Sequence, residues 1–216
     1  MITDERIVAF IHSLEGPQSA LLEEIEMSAH QNRVPIIRKE MESFLRVLIK
    51  IQKPENILEI GTAVGYSALV MAEAMTEGGT LTTIENYDKR IPIARENFKK
   101  AGEDGRITLL EGDAADVLKT LHGPFDFVFM DAAKGQYAVY MEEVLRLLVP
   151  GGVLVCDNVL QEGDLVASRF AVERRNRTIH KRMRQFLLDL KRSDAFETSI
   201  IPIGDGVTLS VRKETK

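Results

Sequence analysis

A glycine-rich turn at residues 61–65 is the part of the chain best suited to hold a ligand. It follows the apolar run 57–60 and precedes a helix-like stretch, 67–75, in the sequence LEIGTAVGYS. Gly61 and Gly65 let the backbone approach a ligand closely, and the start of the following helix presents unpaired N–H groups to a negatively charged group. Because the sequence is GTAVG and not GxGxxG, a nicotinamide cofactor is disfavoured.

Polar residues also follow each of the later apolar runs. Glu85 closes the run 80–84, where a carboxylate can accept hydrogen bonds from both hydroxyls of a ribose. The other polar positions are Gly112-Asp113-Ala114, Asp131 and Asp157-Asn158. Ligands of open α/β sheets bind at the carboxyl ends of the strands, so these residues are expected to line one site.

Asp131, Asp157 and Asn158 together have the chemistry of a metal site. The ends of adjacent strands lie about 5 Å apart, which allows two carboxylates and a carboxamide to converge. Hard oxygen donors of this kind suit Mg²⁺ or Ca²⁺. Lys134 follows Asp131 closely and could accept a proton beside such a site. The alternative is that these side chains are polar caps where strands meet solvent.

The spacing of apolar residues predicts three helices at 4–14, 19–31 and 38–51, followed by alternating strands and helices. Strands are predicted at 57–60, 80–85, 106–111, 125–130, 152–156, 196–201 and 207–212. The intervening helices are predicted at 66–76, 88–101, 114–121, 136–147 and 167–191. This alternation implies right-handed βαβ units and a doubly wound, Rossmann-like α/β fold with a mostly parallel seven-stranded sheet. Gly204-Asp205-Gly206 favours an antiparallel C-terminal hairpin.

We therefore expect a single domain over 1–216, with N-terminal helices in 1–51 and a cofactor-binding core in 52–216. The 216 residues are 44% hydrophobic and 28% charged, as in an ordinary soluble protein. No apolar run approaches the roughly 20 residues that cross a bilayer. Cys156 is the single cysteine, which favours a buried structural role and a cytoplasmic location. Apolar faces on the N-terminal helices, beyond what the sheet requires, indicate a homodimer.

Basic residues are concentrated in the segment 169–192, although the chain has a formal net charge of −5. They are Arg169, Arg174, Arg175, Arg177, Lys181, Arg182, Arg184, Lys191 and Arg192. Glu173 and Asp189 are the only acids in this segment. Segregated charge can bind an anionic partner, and the alternative is a solvated helix face.

Taken in order, these motifs resemble the magnesium-dependent catechol and caffeoyl-CoA type O-methyltransferases, which are class I S-adenosylmethionine-dependent enzymes. The resemblance covers nearly the whole chain. The matching residues are Leu58-Glu59-Ile60-Gly61-Thr62, Gly65-Tyr66-Ser67, Glu85, Gly112-Asp113-Ala114, Asp131 with Lys134 and Tyr137, Asp157-Asn158-Val159, and Ile201-Pro202-Ile203-Gly204-Asp205-Gly206.

The resemblance implies roles for individual residues. The cofactor S-adenosylmethionine would be held by Gly61, Thr62, Gly65, Tyr66, Ser67, Glu85, Asp113, Ala114 and Asp131. Mg²⁺ or Mn²⁺ would be bound by Asp131, Asp157 and Asn158, with Lys134 and Asp131 as the catalytic pair. One departure concerns Ala133, where many bacterial and plant members have aspartate. The metal ligands are unaffected, but contacts to the acceptor would change.

The acceptor should carry two adjacent oxygens, one of them a hydroxyl, because a cation can chelate both. Among the members of the family, the chain looks most like bacterial enzymes that convert 5-hydroxyuridine at the tRNA wobble position to 5-methoxyuridine. The tRNA backbone would then contact Arg174, Arg175, Arg177, Lys181, Arg182 and Arg184. The main alternative is a small catechol or caffeoyl-CoA-like acceptor. A non-catalytic binding scaffold is a third hypothesis, which the intact polar set at 131–158 disfavours.

Overall fold

Seven strands form one sheet in the computed structural model, which describes residues 2–214. The strand order is β3-β2-β1-β4-β5-β7-β6. The strands are β1 (Asn56–Ile60), β2 (Thr80–Glu85), β3 (Ile107–Glu111), β4 (Phe125–Met130), β5 (Leu148–Cys156), β6 (Phe196–Ile201) and β7 (Val207–Arg212). β1 to β5 pair in parallel, whereas β7 lies antiparallel to both β5 and β6. The predicted fold class and the C-terminal hairpin are confirmed.

Helices cover both faces of this sheet. They are α1 (Glu5–Ser13), α2 (Ala20–Gln31), α3 (Lys39–Gln52), α4 (Tyr66–Ala74), α5 (Ile91–Ala101), α6 (Ala114–Thr120), α7 (Tyr137–Leu147) and α8 (Arg177–Arg192). The apolar residues of α2 to α5 pack on one face of the sheet, and those of α6 to α8 pack on the other. Since both faces are covered, the loops at the strand ends are the part of the sheet left for a ligand.

The predicted helix 167–191 is wrong over its first ten residues. The α-helix begins at Arg177 and is preceded by two short 3₁₀ turns, Gln161–Val166 and Arg174–Asn176. The buried positions of α8 begin at His180 and continue at helical spacing through Met183, Phe186 and Leu190. Before His180 the segment is charged but has no apolar stripe to pack on the sheet, and charge density by itself does not produce a helix.

Cys156 is fully buried at the end of β5, as expected for a small core side chain. Burial raises the pKa of its thiol to about 12, so the thiolate required for nucleophilic chemistry is disfavoured.

The N-terminal helices carry exposed apolar side chains on α1, which are Ile7, Phe10, Ile11 and Leu14. A homodimer through this face stays a prediction. Among residues 2–214, every helix is too short or too polar to cross a bilayer.

Candidate functional site

The turn after β1 adopts a backbone conformation that requires glycine at both ends. Gly61 and Gly65 have φ values of +105° and +84°. A Cβ atom at Gly61 would overlap the carbonyl oxygen of Asp131, and one at Gly65 would lie 2.5 Å from the ring of Phe98. The turn is thus packed tightly against the end of β4, which brings the predicted cofactor site and the predicted metal site together.

Glu85 lies beside this turn at the end of β2, as the sequence predicted. Its carboxylate accepts hydrogen bonds from the backbone N–H groups of Ala63 at 2.7 Å, Asn86 at 3.0 Å and Tyr87 at 2.9 Å. Oε1 already accepts two of these hydrogen bonds and Oε2 accepts one, so Oε2 keeps an acceptor position for a hydroxyl of a ligand. Glu85 therefore shapes the turn, and its contact with a ribose stays a prediction.

Asp113 and Ala114 lie next along the same edge, at the start of α6. The backbone N–H of Gly112 donates to the carbonyl of Glu85 at 2.9 Å, which extends the β2–β3 ladder beyond the strands. Asp113 caps α6 by accepting from the backbone N–H of Ala115 at 2.9 Å. Both residues are thus held next to Glu85, and their contact with adenine stays a prediction.

A buried hydroxyl network braces the turn from below. Ser67 and Thr83 both donate to the carboxylate of Glu59, and the hydroxyl of Thr83 also contacts that of Thr62. All four side chains are buried. The side chains of Thr62 and Ser67, predicted to hold the cofactor, therefore point toward the protein interior. Burial raises the pKa of Glu59 to about 7 despite the two hydroxyl donors.

Tyr66 was also predicted to hold the cofactor, yet its side chain points away from the turn. It is 2% exposed, and its hydroxyl is 2.8 Å from the carboxylate of Glu42 on α3 and 3.0 Å from the amide nitrogen of Gln18. Tyr66 thereby fastens the N-terminal helices to α4. Burial and the neighbouring Glu42 raise the pKa of the phenol.

Asp131 and Asp157 follow directly after β4 and β5, whose last residues, Met130 and Cys156, are register partners. Asn158 has a left-handed backbone conformation, with φ of +59°, that turns its side chain back toward β4. Its amide donates to Asp131 at 2.9 Å. The predicted group of two carboxylates and one carboxamide therefore does converge.

Burial of these two carboxylates disfavours their charged forms. It raises the pKa of Asp131, and it raises that of Asp157 to about 7, where the negative charge of Asp131 adds to the effect. Within residues 2–214, no three His, Cys, Asp or Glu side chains converge as ligands of one ion. A metal site here would consist of Asp131, Asp157 and the carboxamide oxygen of Asn158.

Lys134 begins a 3₁₀ turn, Lys134–Gln136, directly after this group. Its ammonium donates to the carboxylate of Asp205 at 3.3 Å. The sequence placed Asp205 in a hairpin turn and in the C-terminal motif that matches the family, without a role in the site. Asp205 is in fact only 4% exposed, and neither the turn nor the motif predicted its contact with Lys134.

The basic segment divides into two sets of side chains. Arg177, Arg182 and Arg184 donate to backbone carbonyls of neighbouring loops, those of Val172, Gly135 and Leu165 respectively. Arg174, Arg175 and Lys181 are exposed, as are Arg182 and Arg184, and Arg175 pairs with the carboxylate of Glu173 at 2.7 Å. Three of the six side chains predicted to bind tRNA are therefore already engaged with the protein's own backbone.

Comparison with known proteins places this arrangement in a family. A family model described as O-methyltransferase matches residues 12–213. The chain belongs to the O-methyltransferase family. The methyltransferase is 36% identical over 183 residues to a caffeoyl-CoA O-methyltransferase of Medicago sativa, a match that covers 78% of the chain and 71% of the relative.

Two further comparisons agree with this assignment. A catechol O-methyltransferase of Niastella koreensis is 39% identical over 127 residues, which span 57% of the methyltransferase and 58% of that relative. The crystal structure of an SAH-bound methyltransferase from Podospora anserina superimposes with a TM-score of 0.86 at 31% identity, covering 97% of the methyltransferase and 95% of that chain. The family predicted from the sequence is confirmed; tRNA specificity and dependence on magnesium stay predictions.

The raised pKa of Glu59 predicts a specific pH dependence of stability. A pKa of about 7 in the folded protein, against 4.5 ordinarily, means that ionisation of Glu59 opposes folding. This penalty is absent below about pH 4.5 and complete above about pH 7. Glu59→Gln should therefore gain stability relative to wild type as the pH rises through this window, by at most about 3 kcal/mol.

Urea unfolding of the ligand-free protein between pH 4 and pH 8 measures this difference. Glu111→Gln, at an exposed strand end, is the matched control and should show little change across the window. A stability difference between Glu59→Gln and wild type that is constant with pH would contradict the prediction.

Proposed function

We propose that the protein transfers the methyl group of S-adenosylmethionine to a hydroxyl of a small molecule that carries two adjacent oxygens, with Mg²⁺ or Mn²⁺ as the metal. The observation that carries this proposal is the contact between the glycine turn and the polar group after β4. Gly61 packs directly on the backbone of Asp131, so a cofactor on the turn and an acceptor at Asp131 would be neighbours.

Three observations support S-adenosylmethionine as the methyl donor. The turn at Gly61 and Gly65 leads into the N-terminus of α4, and Glu85 lies beside it at the end of the adjacent strand. The similar Podospora anserina structure is SAH-bound. The positive sulfonium would lie near Asp131 and Asp157, where a cation favours the ionised form of both carboxylates.

The residues after β4 and β5 also fit a divalent cation. Two carboxylates and a carboxamide are the oxygen donors that Mg²⁺ and Mn²⁺ prefer. Asp157 is buried and Asp131 is partly buried, and a cation would offset the cost of withdrawing these carboxylates from water. When bound, the cation would hold the two acceptor oxygens and stabilise the oxyanion of the reacting hydroxyl.

The protein's own side chains account for the rest of the mechanism. The turn at Gly61 and the side chain of Glu85 would hold the donor, and Asp131 and Asp157 would fix the acceptor next to it. Transfer from a sulfonium needs mainly an oxygen held in line with the methyl group, so this positioning is the main source of rate enhancement. Lys134 lies beside the polar group and, as the neutral amine, would receive the proton of the reacting hydroxyl and become an ammonium.

The hydrogen bonds that arginines of the basic segment make to loop carbonyls favour a small acceptor over tRNA. Arg177, Arg182 and Arg184 each donate to a loop carbonyl, which restrains the direction of their side chains, although Arg182 and Arg184 stay exposed. The curated relatives described above are named catechol and caffeoyl-CoA O-methyltransferases. Binding of tRNA remains the alternative, because the basic side chains of Arg174, Arg175 and Lys181 are exposed.

Glu85→Ala should weaken binding of S-adenosylmethionine by roughly 1.5–3 kcal/mol, because hydrogen bonds to a charged group and the support of the turn are lost. Glu111→Ala is a matched control, since Glu111 is the register partner of Glu85 on β3 but is exposed. Isothermal titration calorimetry measures both affinities. Equal affinity of Glu85→Ala and wild type would rule out Glu85 as a cofactor residue.

Turnover of a catechol acceptor should require a divalent cation. EDTA should abolish it, and added Mg²⁺ or Mn²⁺ should restore it. Asp157→Ala should lose most of its activity at every metal concentration at which the wild type is active. Asp189→Ala, at an exposed position on α8, is the control and should keep its activity. Full activity in EDTA would show that Asp131, Asp157 and Asn158 are structural.

The acceptor class can be tested with the exposed basic set. In Arg174→Gln/Arg175→Gln/Lys181→Gln, methylation of a small catechol should be unchanged, because these side chains are far more exposed than the polar group after β4. Wild type and variant are each assayed with catechol and with tRNA bearing 5-hydroxyuridine. The tRNA alternative would replace the small-molecule proposal if wild type methylated that tRNA much faster than catechol and the variant did not. In that case tRNA binding by the variant should also depend less on salt concentration.

A further inference from the structure

Asp205 is a buried carboxylate in the turn between β6 and β7, at the same edge of the sheet as the polar group after β4. One of its oxygens accepts from the ammonium of Lys134 at 3.3 Å. The other accepts from the backbone N–H of Glu162, in the loop that follows Asp157 and Asn158. A single side chain therefore joins the segments that follow β4 and β5 to the C-terminal hairpin.

The backbone around Asp205 is held firmly in this position. The N–H groups of Val159 and Leu160 donate to the carbonyls of Gly206 and Asp205, both at 2.9 Å. Gly206 has φ of +83°, and a Cβ atom there would overlap the side chain of Leu160. The turn cannot shift without breaking these contacts. The carboxylate of Asp205 is therefore held in one position and can orient flexible side chains near it.

Lys134 is such a flexible group. Its side chain is 32% exposed, and a lysine has four rotatable carbon bonds and no preferred direction for its charge. The backbone of its turn is anchored separately, because Arg182 donates to the carbonyl of Gly135 at 3.3 Å. The contact with Asp205 is a direct hydrogen bond to the ammonium, whereas Asp131 and Asp157 attract the ammonium through their charge.

We propose that Asp205 is a positioning residue for Lys134, holding the ammonium beside Asp131 and Asp157 and keeping the loop around Glu162 closed over that edge. The proposal rests on the proposed function for the role of Lys134 in proton transfer. It assigns Asp205 no contact with acceptor or cofactor. Its effect on the reaction passes through Lys134, because Asp205 would hold the amine in place and stabilise the ammonium that forms when the amine takes up the proton.

The test uses Asp205→Asn, which keeps the shape of the side chain and an oxygen for the N–H of Glu162 but removes the charge that faces Lys134. We expect kcat for a catechol acceptor to fall on the order of 10- to 100-fold, as for other losses of positioning. KM for the acceptor and the Kd of S-adenosylmethionine should change by less than about twofold. Asp194→Asn, an exposed position just before β6, is the matched control and should behave as wild type.

A double-mutant cycle separates positioning from a general structural effect. If Asp205 acts through Lys134, the change Asp205→Asn should have no further effect on kcat in a Lys134→Ala background. The same fall in kcat in both backgrounds would overturn the proposal, as would wild-type kcat in Asp205→Asn.

A second readout does not depend on turnover. Reductive methylation followed by peptide mass spectrometry measures the reactivity of Lys134, with the exposed Lys119 as internal reference. Labelling of Lys134 should rise at least severalfold in Asp205→Asn, and unchanged labelling would overturn the proposal. If labelling rises but Lys134→Ala is as active as wild type, the role of Lys134 in the proposed function fails, and with it the effect of Asp205 on the reaction.

Discussion

The close contact between the ends of β1 and β4 is the constraint on which the rest of the site depends. The backbone N–H of Asp131 donates to the carbonyl of Ile60 at 3.0 Å, and Gly61 leaves no room for a side chain against the Asp131 carbonyl. The next strand continues the pattern, since the N–H of Asp157 donates to the carbonyl of Met130 at 2.9 Å. Parallel pairing thus extends past the strands and fixes where the polar residues begin.

This edge of the sheet concentrates carboxylates. Glu59, Asp157 and Asp205 are buried within it, and Asp131 is partly buried. Burying several like charges together costs stability, and the raised pKa values of Glu59 and Asp157 express that cost. Such an arrangement is typical of sites where a protein gives up stability for binding or catalysis.

The N-terminal helices and α8 act on the site indirectly. Glu42 and Gln18 hold the hydroxyl of Tyr66 at the first residue of α4, which follows the glycine turn. On the other side, Arg182 and Arg184 of α8 hold the backbone of the loops after β4 and β5. Elements that contribute no predicted cofactor or metal residue therefore help to fix the site, which matters because methyl transfer depends on alignment.

The sequence alone determined the sheet, the family and the strand ends that carry polar residues. These features follow from local patterns: apolar periodicity, glycine at a turn, and a carboxylate directly after a strand. The pairing of β4 with β5 then brings Asp131 and Asp157 together, as that pattern predicted.

Tertiary structure alone decided where individual side chains point and what they contact. Thr62, Tyr66 and Ser67 face the interior because Thr83, Glu42 and Glu59 lie beneath them, and nothing local in the chain encodes those partners. Asp205 meets Lys134 across 71 positions of sequence, and the arginines of α8 meet carbonyls of loops that fold back onto the helix. Sequence spacing describes one segment at a time, whereas burial, charge pairing and side-chain direction arise only when distant segments pack together.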